Sequence, residues 1–492
     1  MKRGFILSSF YFASFVELSQ GGSLQVVKFS DRGAVCLDGS DAGFYFGAAT
    51  SNEHKDDWQI HFKGGGWCAG PEDCLARSRG RLGSSNSWGG TTLASNGIAS
   101  RDCVINPDFC KFNYVEVEYC DGDSFLGDRA EPVLVGPPGK EDRLYFRGAR
   151  IVESMVDKLV AKYGLQRAKN VLITGCSAGG LAAILNADVI YDLLRQHGAT
   201  PQRYKVVSCS GFFPLLPNFL GQTVYGDLIK DLFELSNATT RTRCFQDLAG
   251  SDIAWHCNVA QYALSYIQAP IFLVNSAKDS WVSRCTFRAL QHRGQDIQAA
   301  CSAKARPGLT EHYNQFRKLI LTNPTVNRPG NGAFVHTCDT HCEGAQPFFN
   351  KISLNRVTIQ QAISRWWNSI NEIAAAHTYA PCSDAQKDCE ATCSRAPKHA
   401  ARPPIDIASS TSNNAAAAAD DDDDDDKWSE SNSNNNNNNN IHSSSASHAP
   451  RSSWPPLEQL VAAVWDKTLG ARGTTASLSE SFAELGGESL LA

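Results

Sequence analysis

A strand, a glycine-flanked serine and a helix follow one another without a break between residues 170 and 194. Few folds accommodate that order. Residues 170–174 (NVLIT) are apolar on both faces and stop at a glycine. Gly175-Cys176-Ser177-Ala178-Gly179 comes next, and residues 181–194 carry apolar side chains at helical spacing. A strand apolar on both faces needs cover on both sides, the setting of a parallel sheet. Residues 58–62 (WQIHF) and 271–275 (IFLVN) read as further strands. Ile151, Val152, Met155, Val156, Leu159 and Val160 share one helical face. The expected fold class is α/β, a mostly parallel sheet covered by helices on both faces.

Composition sets the outer limits. Hydrophobic residues are 42% of the 492, enough to bury a core, which excludes a wholly disordered chain. The formal charge is −5, and the seven aspartates of residues 420–426 account for more than that. The rest is near neutral, so a nucleic-acid partner is not expected. The longest apolar stretch, residues 4–16, is broken by three serines and is shorter than the roughly 20 residues a bilayer span requires. An integral membrane segment is therefore not expected. Seventeen cysteines point to a secretory route, where thiols can pair, and their odd number leaves at least one unpaired. Lys2 and Arg3 ahead of the apolar stretch fit a signal peptide over residues 1–22. The sequon Asn237-Ala238-Thr239 agrees with that route.

Chemistry concentrates at the serine. G-x-S-x-G between a strand and a helix forces a sharp turn that holds the Ser177 hydroxyl out at the sheet edge. The Ala178 N–H, at the helix start, then faces a developing oxyanion. A hydroxyl needs a base, and the base needs an acid to orient it. The best-placed acid is Asp279, in the loop after the IFLVN strand. Two histidines, His336 and His341, could supply the base, and chain order alone does not choose between them. They share a segment with Cys338 and Cys342, but the spacing fits no usual zinc pattern, and both cysteines are read as disulfide partners. No metal is expected. His61 reads as a strand residue. Gly64-Gly65-Gly66-Trp67-Cys68, after the WQIHF strand, is the natural source of further oxyanion donors, with the N–H groups of Gly66 and Trp67 foremost.

Together these stretches resemble the pectin acetylesterase/Notum family of α/β-hydrolase-like carboxylesterases. The likeness is carried by AVCLDGS from Ala34, HFKGGGWC from His61, LGSSNSW from Leu82 and YCDGDSFLGD from Tyr119. GCSAGGLAA from Gly175, the Asp279 loop, GAFVHTCDTHCE from Gly332 and the closing Cys389–Cys393 motif complete it. The resemblance covers residues 25–394. It implies Ser177 as nucleophile, Asp279 as acid and His341 as base, since the family's histidine-cysteine pair falls on His341-Cys342. The implied activity is removal of O-acetyl groups from a polysaccharide such as pectin, without a cofactor and by a secreted monomer. Two departures stand out. Ser208-Cys209-Ser210 precedes Gly211-Phe212-Phe213 where an aspartate is usual, and Glu343 follows His341-Cys342 where plant enzymes tend to have glutamine.

Beyond the hydrolase the chain changes character. Residues 395–454 carry alanine, aspartate and asparagine tracts and read as a disordered linker. Residues 455–492 resemble a fragment of an acyl or peptidyl carrier domain, with Leu457, Leu460, Val461, Val464, Trp465 and Leu469 as a helical stripe. That resemblance places a phosphopantetheine arm on Ser489, but the chain supplies only part of the four-helix bundle. Such a fragment buries too little to fold alone. A genuine carrier domain would imply a cytoplasmic enzyme. Three alternatives follow: a Notum-like deacylase of a longer acyl ester, a hydrolase acting on carrier-bound acyl groups, and a non-catalytic secreted binding module.

Overall fold

The alternation of apolar strands with striped helices builds a ten-stranded sheet. The computed structural model of the chain describes residues 23–238, 242–287, 308–347, 349–369, 376–379 and 393. The signal peptide, linker and carrier fragment expected over residues 1–22, 395–454 and 455–492, Ser489 included, lie outside the described residues. In chain order the sheet strands are β1 (Ser23–Phe29), β2 (Ala42–Gly47), β3 (Asp57–Phe62), β4 (Thr91–Leu93) and β5 (Asn113–Val117). β6 (Asn170–Cys176), β7 (Arg203–Cys209), β8 (Ile271–Ser276), β9 (Gly332–His336) and β10 (Ala376–Tyr379) follow. Their spatial order is β10-β9-β8-β7-β6-β3-β5-β2-β1-β4. From β10 to β5 all neighbours run parallel. β2, β1 and β4 extend that sheet by antiparallel pairing.

The central strands bury both faces, and their alternation sorts side chains into two cores. Val171, Ile173, Ile271, Leu273, Ala333 and Val335 point into one, together with Ile151, Val152, Met155, Val156 and Leu159 of α1 (Gly148–Tyr163). Leu172, Val207, Phe272, Val274 and Phe334 point into the other. There they meet Ile359, Ile363, Trp366 and Trp367 of α2 (Ile359–Asn368). Helix cover on both faces is thus the α/β architecture that the two-faced apolar strands require.

One helix differs from expectation. The stripe over residues 181–194 is two helices, Ala178–Leu185 and Ala187–Gln196, parted at Asn186. The Asn186 side-chain amide and its own backbone N–H both donate to the Ala182 carbonyl, at 3.1 and 2.9 Å. A short amide that competes for a helical carbonyl bends the chain there. Among the described residues no helix is long and apolar enough to cross a membrane.

His61 on β3 makes the fold sensitive to acid. Its ring is buried, with Nδ1 2.9 Å from Thr174 Oγ1. Burial depresses its pKa from the ordinary 6.5 to about 4, with Glu116 opposing and Lys63 reinforcing the shift. The unfolded chain therefore binds the extra proton between these values while the folded chain refuses it. Stability from this group is complete above pH 6.5 and drains away as pH falls toward 4, by on the order of 3 kcal/mol. His61→Gln should flatten the fall in the urea midpoint between pH 7 and 4.5. Parallel pH profiles for variant and parent would show that His61 does not contribute.

Candidate active site

Three parallel strands deliver the candidate residues to one edge of the sheet. Ser177 follows β6, Asp279 follows β8, and His341 lies in the loop after β9. Ser177 takes φ +58° and ψ −130° at the start of the helix Ala178–Leu185, a conformation that costs energy for any residue with a Cβ. Its N–H is held by the Cys209 carbonyl at 3.0 Å. Gly64, in the loop after β3, packs directly against this turn. A Cβ on Gly64 would lie 2.9 Å from Ser177 Cβ and closer still to the Cys176 carbonyl oxygen. Only glycine lets the two loops approach so closely.

Across the edge, Ser177 Oγ is 2.8 Å from His341 Nε2. His341 Nδ1 is 2.8 and 3.0 Å from the two carboxyl oxygens of Asp279. An Nδ1–H that donates to Asp279 leaves Nε2 to accept from the Ser177 hydroxyl. Asp279 is 1% exposed, and its Oδ1 also accepts the Val282 N–H at 3.0 Å. Ser280 N–H donates to the Thr340 carbonyl at 3.0 Å, tying the Asp279 loop to the His341 loop. His336 stands elsewhere: it ends β9, fully buried, with Nε2 3.0 Å from Glu343 Oε1. The N–H groups of Gly66 and Trp67 make no hydrogen bond within the described residues, and the Ala178 N–H heads its helix.

Several pairings at the site had no reading in the sequence. Cys176, next to Ser177, is disulfide-bonded to Cys342, next to His341, across 166 residues. The adjacency of each cysteine to a candidate residue was the available signal. Cys338 pairs with Cys393, and four further disulfides join Cys36 to Cys120, Cys68 to Cys74, Cys103 to Cys110 and Cys244 to Cys257. Cys209 is the free thiol among the described residues. The two departures from the family pattern meet in space, because Ser210 Oγ donates to Glu343 Oε2 at 2.9 Å and accepts the Cys342 N–H at 3.0 Å. Burial works to raise the Glu343 carboxyl, but His336 and Ser210 outweigh it and leave the group below its ordinary value. An aromatic wall flanks His341. Phe213 and Trp281 each lie 6.3 Å from its ring, and Trp67 packs on both at 4.9 and 5.5 Å.

Comparison with known proteins identifies the family. The sequence profile described as Pectinacetylesterase matches residues 18–394. Pectin acetylesterase 5 of Arabidopsis thaliana is 30% identical over 72% of this chain and 82% of its own length. Palmitoleoyl-protein carboxylesterase notum1 of Xenopus laevis is 31% identical over 70% of this chain and 67% of its own. Among solved structures, the Wnt deacylase Notum from Drosophila aligns with a TM-score of 0.58 at 22% identity. That alignment covers 70% of this chain and 93% of the solved one, and it bears on the fold. The chain belongs to the pectinacetylesterase family and is a carboxylic ester hydrolase.

Proposed function

We propose that this protein is a secreted serine esterase that removes O-acetyl groups from a polysaccharide such as pectin. The observation that carries the reading is the unbroken line from Ser177 Oγ through His341 to Asp279, each step 2.8 Å. His341 Nε2 takes the Ser177 proton as Oγ attacks the acetyl carbonyl. The carbonyl oxygen becomes an oxyanion on the N–H groups of Gly66, Trp67 and Ala178. Asp279 orients the imidazole and stabilises its positive charge. The tetrahedral intermediate then breaks its bond to the sugar oxygen, which takes the proton from His341 and departs as the free hydroxyl, leaving acetyl-Ser177. Water deprotonated by His341 attacks the acetyl carbonyl, and breakdown frees acetate and restores Ser177. No cofactor enters these steps. A phosphopantetheine arm on Ser489 would lie outside both the described residues and the matched stretch 18–394, and the reaction runs without it. Residues 25–394 are assigned to the hydrolase, and its disulfides suit an oxidising compartment.

The aromatic wall favours a short acyl group. Trp67, Phe213 and Tyr225 are buried and pack ring on ring, with Trp281 against them. A long chain would have to displace these side chains to lie beside His341. The relatives named for palmitoleoyl-protein hydrolysis make a longer acyl ester the second reading. On p-nitrophenyl esters, kcat/KM should fall at least about tenfold from acetyl to octanoyl. A rise toward octanoyl or longer chains would select the deacylase reading instead.

A further inference from the structure

The loop bearing the proposed oxyanion donors is held from behind by two side chains that do not reach Ser177. Gly65 and Gly66 have φ of +151° and +64°, conformations that side-chain-bearing residues avoid. Nothing in such a glycine run fixes which way its peptides face. Here two donors do. Arg77, on the helix Gly70–Ser78, donates from its guanidinium to the Gly65 carbonyl at 2.8 Å. Tyr119, just beyond β5, donates its hydroxyl to the Gly66 carbonyl at 2.8 Å.

In a trans peptide the C=O and the following N–H point in opposite directions. Holding the Gly65 carbonyl therefore aims the Gly66 N–H, and holding the Gly66 carbonyl aims the Trp67 N–H. The two holders are themselves braced. The Arg77 guanidinium lies over the Tyr119 ring, 5.1 Å from its centre. Tyr119 is 1% exposed, and its oxygen accepts the Ser124 N–H at 3.0 Å. Ser124 Oγ in turn accepts the Trp67 indole N–H at 2.9 Å, closing a ring of bonds on the donor loop. Disulfides anchor both supports: Cys68–Cys74 joins the donor loop to the Arg77 helix, and Cys36–Cys120 pins the residue after Tyr119.

We propose that Arg77 and Tyr119 are positioning residues for ester hydrolysis, fixing the Gly65 and Gly66 carbonyls so that the N–H groups of Gly66 and Trp67 face the oxyanion. The inference rests on the assignment of those N–H groups in the proposed function. Direct removal of an oxyanion donor costs roughly 10²–10³ in kcat, and loosening its aim should cost less.

The test compares Tyr119→Phe, Arg77→Met and Ser177→Ala in the full chain, with an aryl acetate as substrate. A trifluoromethyl ketone, which Ser177 attacks to form a tetrahedral oxyanion, serves as inhibitor. The expected result for Tyr119→Phe is a kcat about tenfold lower, KM within about twofold of the parent, and an inhibition constant raised in step with the loss of kcat/KM. Arg77→Met should show the same split, and it decides the matter if Tyr119→Phe does not fold. Folded variants with parental kcat and parental inhibitor affinity would overturn the proposal, as would a loss confined to KM. If Ser177→Ala itself kept parental activity, the assignment of the nucleophile would fail, a different result from intact positioning variants beside a dead Ser177→Ala.

Discussion

Ser177→Ala is expected to lower acetyl-ester turnover by at least about a thousandfold while the protein keeps its fold. The size follows from the proposed route, since no acyl-enzyme forms without the hydroxyl. Fold retention follows from the turn itself. Serine and alanine pay the same steric cost at φ +58°, because both carry a Cβ and nothing larger contacts the backbone. The variant loses one partly buried hydrogen bond, from Ser177 Oγ to His341 Nε2, worth about 1 kcal/mol. Rates and urea unfolding measured together would separate the effects. Turnover above about one part in a thousand from a folded variant would remove Ser177 from the nucleophile's role.

The second large effect is expected from replacing Cys176 and Cys342 together by serine. Their disulfide closes 166 residues and joins the neighbour of Ser177 to the neighbour of His341. In the chain-entropy account an isolated loop of that size contributes about 5 kcal/mol. Other cross-links already restrict the unfolded chain, so the measured loss should be smaller, several kcal/mol at most. The kinetic loss has a separate origin. Cys342 takes a left-handed backbone conformation and also donates its N–H to Ser210, so releasing its side chain loosens the loop that presents His341. Misplacement of a reacting group by about 1 Å costs on the order of a hundredfold. At least a tenfold fall in kcat is therefore expected, with a lowered urea midpoint. A fall in stability without a fall in kcat would mean that Asp279 and the remaining hydrogen bonds of the His341 loop hold His341 in place without the disulfide.

How much of this was legible in the sequence varies with the range of the interaction. The strands at residues 58–62, 170–174 and 271–275 were readable because unbroken apolar runs need burial on both faces, and the structure lengthens each by one or two residues. The break at Asn186 was not, because its apolar stripe continues across the interruption and one side-chain hydrogen bond decides the matter. Choosing between His336 and His341 needed the family resemblance, since both are polar residues in one short segment. The structure separates them by place, one sealed in the core against Glu343 and the other 18% exposed beside Ser177. The segment ending at Ser210 and the residue Glu343 each depart from the family pattern, but a hydrogen bond across 133 residues leaves no local trace. The support of Gly66 by Tyr119 is hidden for the same reason: it joins residues 53 apart, in the loops beyond two strands.

The most direct test of the central claim is acetate release from acetylated pectin by the chain produced through a secretory host, with Ser177→Ala in parallel. The account predicts steady release of acetate by the parent and none above background by the variant. No release by a parent that still cleaves aryl acetates would contradict the polysaccharide substrate, and equal release by both proteins would contradict the serine mechanism.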